Sequence, residues 1–130
     1  MLKHCRVETR IPTQDLERAR RWYAEKLGLE PVEVRPGGIR YEVDSGVFCL
    51  FVSSGASDGS FTQMGFYVED IEATVSGLRA RGVVFEDYGG TMNAIMEIEG
   101  NYPSKGRGER AAWFRDSEGN LLGIGQPVRA

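Results

Sequence analysis

Residues 8–28 read ETRIPTQDLERARRWYAEKLG, and a second version of the phrase returns at residues 63–82 as QMGFYVEDIEATVSGLRARG. Asp15, Leu16 and Glu17 fall on Asp70, Ile71 and Glu72 at an offset of 55, and Gly28 falls on Gly82 at 54. In each copy an alternating stretch leads to an Asp, the Asp to apolar residues at helical spacing, and these to a closing Gly. That order predicts strand, N-cap, amphipathic helix and C-cap, twice.

The ends of the two units match as well. Asp44-Ser45-Gly46 precedes VFCLFV and Asp116-Ser117-Glu118-Gly119 precedes NLLGIG, which sets Gly46 against Gly119 at an offset of 73. That offset exceeds the first by 18 residues, so the second unit carries an insertion between Gly82 and Asp116. Two copies of about 55 residues are too long and too few for a solenoid and read as two modules sharing one core.

At 130 residues, 41% hydrophobic and 27% charged, the chain has the size and composition of one globular domain. A net charge of -3 provides no basic field for a phosphate backbone, so nucleic acid is not an expected partner. MLKHCRVETR lacks an apolar signal core and no apolar run is long enough to cross a bilayer, which predicts a cytoplasmic protein without a membrane partner. Cys5 and Cys49 lie in strand-like runs and read as buried thiols. With His4 as the one histidine, a metal site would have to be mostly oxygen.

In order along the chain, residues 3–12 alternate as a strand with Cys5, Val7, Thr9 and Ile11 on its apolar side. Leu16, Ala19, Tyr23 and Leu27 then form a helical core stripe, with Trp22 beside it packing on a neighbouring element or subunit. Residues 31–35, 38–43 and 47–52 form an antiparallel meander broken by Pro36-Gly37-Gly38 and Asp44-Ser45-Gly46. The third of these strands is apolar throughout and is expected to be covered on both faces. Module one spans 1–53, a linker 54–60, and module two 61–130. Module two repeats strand and helix, then short strands at 85–88, 110–115 and 121–124, with an insertion over 89–108 whose residues 92–98 form a strand or lid. The fold class is α+β, two tandem βαβββ modules forming cupped mixed sheets.

The phrases IPTQDLERARRWYAEKLGL, FYVEDIEATVSGLRARGV and WFRDSEGNLLGIGQP, in that modular order, resemble the vicinal oxygen chelate superfamily, which includes glyoxalase I, bleomycin resistance proteins and extradiol dioxygenases. The resemblance implies the glyoxalase/bleomycin resistance/dihydroxybiphenyl dioxygenase fold, a homodimer, and sheets that cup a site. In the metalloenzymes of the family that site holds one divalent ion. Counting from the capping Asp and the hairpin Gly, the resemblance carries the four ligand places onto Glu8, Leu50, Gln63 and Gly123.

Leu50 and Gly123 have no donor, and Glu8 with Gln63 makes a poor site for a divalent ion. Taken without the resemblance, Glu8 and Gln63 are polar residues on an open sheet face. The inward face defined by these places also takes Arg6, Arg10, Phe48, Val52, Phe61, Tyr67 and Leu121, with Trp113 on the adjoining strand, as an organic-ligand pocket. The leading expectation is metal-independent sequestration of a small organic molecule, such as an antibiotic or metabolite, with no cofactor. The competing one is an enzyme, a divalent-metal lyase, isomerase or dioxygenase using Glu8, Gln63 and Cys49, Glu97 or Glu99, or Glu8 alone as a general base. A third is an interaction role with the cup filled by side chains.

Overall fold

Asp15 and Asp70 both stand in extended backbone, and each carboxylate accepts the N–H three residues on, from Arg18 and Ala73, at 3.0 Å. Each satisfies an N–H that the first helical turn leaves without an internal partner. The helices that follow are α1, Leu16–Trp22, and α2, Ile71–Ala80. A π-helical turn, Tyr23–Leu27, extends α1 and ends at Gly28, whose φ of 69° is the left-handed conformation that closes a helix without a Cβ clash.

The computed structural model describes residues 1–88, 94–100 and 106–129. Its strands are β1 (Thr9–Thr13), β2 (Glu33–Arg35), β3 (Gly38–Val43), β4 (Gly46–Val52), β5 (Thr62–Tyr67), β6 (Met96–Glu99), β7 (Gly108–Arg115) and β8 (Leu121–Val128). They form two four-stranded mixed sheets of identical topology, β1-β4-β3-β2 and β5-β8-β7-β6, with β1 parallel to β4 and β5 parallel to β8. The repeat read from the sequence is therefore a repeat of sheet topology. None of the described helices is long and apolar enough to cross a membrane.

Three local expectations are corrected. The first strand begins at Thr9, leaving Cys5 and Val7 exposed, because only from Thr9 does the chain find β4 as a partner. Phe85 makes a single bridge to Phe114, and the fourth strand of sheet two is β6, inside the presumed insertion. Residues 89–93 and 101–105 of that insertion lie outside the described residues. Finally, β4 is sealed on one face only: Phe48 and Leu50 are buried, whereas Cys49 and Phe51 are half-buried on the other side.

One apolar core joins the modules. Ile11, Ile39, Tyr41, Phe48 and Leu50 of sheet one cluster with Ala112, Phe114, Leu122 and Ile124 of sheet two, with Ala19, Tyr23, Ile71 and Val75 of the helices between them. Trp22 stacks on Phe114 at 6.1 Å and Phe48 meets the edge of Phe66 at 6.1 Å, so Trp22 packs on the other module of its own chain. Each fully buried side chain of this size is worth about 1.5–3 kcal/mol of transfer free energy. Both sheets turn the helix-covered face toward this core. Their open faces consequently look away from one another.

Candidate functional site

The strand registers define the open face of sheet one. Arg10 pairs with Cys49 and Cys49 with Arg40, which pairs in turn with Glu33; the next row is Pro12, Phe51, Gly38 and Arg35. Alternation places all of these on the side opposite Ile11, Phe48, Leu50 and Tyr41. Arg40 Nη2 bridges to Glu8 at 3.2 Å and its Nη1 to Glu42 at 3.6 Å, while Arg35 bridges to Glu33 at 2.8 Å. Arg10 has no ion-pair partner among the described residues. It lines two adjoining concavities, one of ≈ 270 Å³ with Arg35, Gly38, Arg40, Cys49 and Phe51, and one of ≈ 580 Å³ with Arg6, Val7 and Glu8.

The open face of sheet two is built from smaller residues. Gly65 pairs with Gly123 and Gly123 with Trp113; Tyr67 pairs with Gly125 and Gly125 with Ala111. The Trp113 ring lies over Gly123, its Nε1 only 3.3 Å from where a Cβ would stand, and donates to Thr62 Oγ1 at 3.0 Å. The Glu109 carboxylate lies over Gly125 in the same way, and Glu109 is buried. Tyr88 meets Trp113 edge-on at 5.5 Å. Between Thr62 and Met64 the ladder slips, so Gln63 occupies a β-bulge, and its Oε1 is buried without a hydrogen-bond partner among the described residues. A bulge re-aims the side chain it carries, and alternation did not foretell it.

Between the sheets, the hairpin turn before β8 folds inward as a clasp. Tyr23 donates its hydroxyl to Asp116 Oδ2 at 2.7 Å, and Asn120 Nδ2 donates to the same oxygen and to Pro12 O, both at 2.9 Å. Glu118 Oε1 accepts the N–H groups of Gln14 and Asp15, and Arg18 grips both carboxylate oxygens at 2.9 Å. Burial alone pushes the Glu118 carboxyl up, but Arg18, the two backbone N–H groups and the Ser117 hydroxyl outweigh it and hold it at about 2. Burial pushes the Tyr23 phenol well above its usual range, and Asp116 adds to this.

The model of the Glyoxalase/Bleomycin resistance protein/Dioxygenase superfamily matches residues 2–124. The chain belongs to that superfamily. Among solved structures, it is similar to a glyoxalase/bleomycin resistance protein/dioxygenase from Alicyclobacillus acidocaldarius, with TM-score 0.72 and 16% identity over 96% of this chain and 92% of that one. A protein from the mobile metagenome of V. Pseudocholerae gives 0.71 and 18% over 99% of each. Lactoylglutathione lyase from Agrobacterium tumefaciens gives 0.62 and 20% over 97% and 96%. At these identities the likeness is one of fold. No protein of curated function matches the chain.

Within this superfamily member the predicted site residues separate into three places. Arg6, Glu8 and Arg10 line the open side of sheet one. Trp113, Tyr67 and Gly123 belong to the open side of sheet two, with Gln63 in the bulge and Phe61 exposed just before β5. The side chains of Phe48 and Leu50 are buried in the core, Phe48 against Tyr23 and Tyr41, while Leu50 also borders the ≈ 270 Å³ concavity of sheet one. Leu121 is buried and Val52 exposed.

Turn length sets the strand offset. Between the equivalent pairs Glu42–Val47 and Arg115–Leu121 the turn has four residues in module one and five in module two. Matching the buried pairs Phe48 with Leu122 and Leu50 with Ile124 makes the strand offset 74, which sets Cys49, not Leu50, opposite Gly123. Pairing the burial pattern of the two apolar runs would have found Cys49, and Arg40 and Glu109 with it. Among the described residues no three His, Cys, Asp or Glu side chains converge as a metal cluster.

Proposed function

We propose that this protein binds a small organic molecule without a metal, in a pocket completed when two copies associate and the open side of sheet one in one protomer closes over that of sheet two in its partner. The observation that carries the reading is the indole of Trp113 lying over Gly123. Where the family resemblance implies a donor on the last strand, this chain supplies no side chain, and a ring takes up the space above it. Glu8, at the first-strand place, is held by Arg40 at 3.2 Å. Cys49 and Gln63 remain, one thiol and one amide. That set falls short of the three or four converging donors a divalent ion needs from protein.

The dimer is supported by the direction of the open faces. They point away from the shared core, so one chain alone encloses neither. Both carry half-exposed apolar groups, among them Phe51 and Tyr67, beside polar ones, the composition of a small-molecule site. The role fits sequestration of a drug or metabolite, the bleomycin-resistance side of the superfamily, better than its metalloenzyme side.

The test is elemental analysis of protein purified without chelator, with melting curves in Ni, Zn, Mn and Fe(II) with and without EDTA, and a light-scattering mass. The expected result is a dimer with no stoichiometric metal and a chelator-insensitive melt. One bound ion per chain with an EDTA-sensitive melt would establish the lyase, isomerase or dioxygenase reading, with Glu8, Cys49 and Gln63 as the donors to mutate.

A further inference from the structure

The open face of sheet one carries its own charge pattern, and that pattern selects a class of ligand. Arg6, Arg10, Arg35 and Arg40 line its two concavities with Glu8 and Glu33, and Glu42 joins through Arg40. Every glutamate of this group is engaged: Glu8 and Glu42 by Arg40, Glu33 by Arg35. Arg6 and Arg10 are the guanidinium groups left with no ion-pair partner among the described residues, and of the two only Arg10 lines both concavities. The face therefore carries a surplus cation on a chain whose net charge is -3.

Register turns this surplus into geometry. Arg10 and Arg40 are both pairing partners of Cys49, one on each neighbouring strand. Their Cα atoms are thus about 10 Å apart across β4, two interstrand spacings, a gap that two arginine side chains span from either side. The adjoining row offers Pro12, Phe51 and Gly38, an apolar plate at whose edge no side chain fits on Gly38, since a Cβ there would stand 2.8 Å from Leu50 O. Two guanidinium forks beside an apolar plate recognise an oxyanion attached to an apolar body.

We propose that the ligand is an organic anion, a carboxylate or phosphonate on an aromatic or alicyclic body, held by Arg10 and Arg40 above Cys49 with its body on Phe51. This deepens the preceding reading and rests on it. Glu8 acts in this arrangement as a competitor: it occupies Arg40 until the ligand's anionic group takes over. Removing the charge of Glu8 therefore strengthens binding, the opposite of what a general base or a metal ligand at that position predicts.

The experiment is a ligand-observed NMR screen of the full chain with aromatic and alicyclic fragments supplied as matched acid, neutral amide and amine, followed by titration of the hits. Acids are expected to dominate, to weaken at least tenfold in Arg10→Gln, and to tighten severalfold in Glu8→Gln. They should also weaken as salt rises from 50 to 500 mM, as screened charges do. Arg10 is exposed, so unchanged melting of the variant is the folding control. Amides or amines that bind as well as the acids, or acids indifferent to Arg10→Gln, would overturn the anion assignment and leave organic-ligand binding intact. If no fragment of any charge binds the dimer, the preceding reading fails, and the anion assignment with it.

Discussion

Across β1, β4 and β3, one row of the first open face reads Arg10, Cys49, Arg40; the matching row across β5, β8 and β7 reads Gly65, Gly123, Trp113. One row further on, Pro12, Phe51 and Gly38 stand where the second sheet has Tyr67, Gly125 and Ala111. On the opposite side of the same strands the modules agree, with Tyr41, Phe48 and Leu50 facing Phe114, Leu122 and Ile124 as buried apolar equivalents. The repeated side is the packed one, where volume and hydrophobicity are dictated by the core. Freed of that demand, the open sides diverged: one keeps its side chains and their charges, while the other removes them from β8 and covers the gaps with Trp113 and Glu109.

The turns before β4 and β8 diverge in the same manner, and here the largest difference in stability is expected. Asp116 accepts from the Tyr23 hydroxyl, the Asn120 amide and the backbone N–H groups of Glu118 and Asn120. Asp116→Ala strands these donors in a buried site and should cost about 3–5 kcal/mol, read as a denaturant midpoint shift. Asp44, in the matching turn of module one, is exposed and has no side-chain hydrogen bond among those described, so Asp44→Ala should stay within about 0.5 kcal/mol. Equal losses at the two positions would break the comparison.

Next in size is Gly125→Ala. A Cβ there would run into the Glu109 carboxylate and force it from its buried place, an overpacking cost of about 1–3 kcal/mol. Gly123→Ala meets the Trp113 ring at 3.3 Å and should cost less, because the neighbour has only to give by a few tenths of an ångström. Indole fluorescence would report the displacement. If Gly123→Ala is the more damaging of the two, the account of how the second floor is covered is wrong.

Smaller and pH-dependent is the contribution of Glu118. Its carboxyl is held at about 2, below the ordinary carboxylate value of 4.5. The folded state binds this proton more weakly than the unfolded one, so the stabilisation is complete above about pH 4.5 and is lost as pH falls toward 2. Melting temperatures across that window should drop more steeply in the wild type than in Glu118→Gln, whose amide has no charge to lose. At the alkaline end, burial pushes the Tyr41 phenol up to about 12, and its hydroxyl has no hydrogen-bond partner among the described residues. Absorbance titration at phenolate wavelengths should show, besides the late Tyr23, a tyrosine near pH 12 that is removed in Tyr41→Phe with little change in stability.

Much of this architecture is legible in the sequence. Capping Asp, closing Gly and the two hairpin turns are local chemistry, written in side chains that bond their own backbone, and Asp15, Asp70 and Gly28 stand where they were expected. The site was harder to read because it depends on register. A one-residue difference in turn length shifts the count by one, and one residue along a strand exchanges core for open face, as between Leu50 and Cys49. The region between α2 and β7 was misread for another reason. Phe85 looks like the start of a strand, but its ring packs edge-on against Phe114 at 5.5 Å and its backbone makes one bridge. The ladder is continued instead by Met96–Glu99, a four-residue edge whose short alternation gives little signal by itself.

The π-helical turn at Tyr23–Leu27 accounts for the smallest irregularity in the repeat. Asp15 to Gly28 is one residue longer than Asp70 to Gly82, and α2 reaches its closing glycine without such a turn. A helix fixed at both ends can take in an extra residue only by widening one turn, which is what a π turn is. The surplus amounts to a single residue in one copy of the repeat. It persists at the turn that begins with Tyr23, the residue by which the first copy now holds the second.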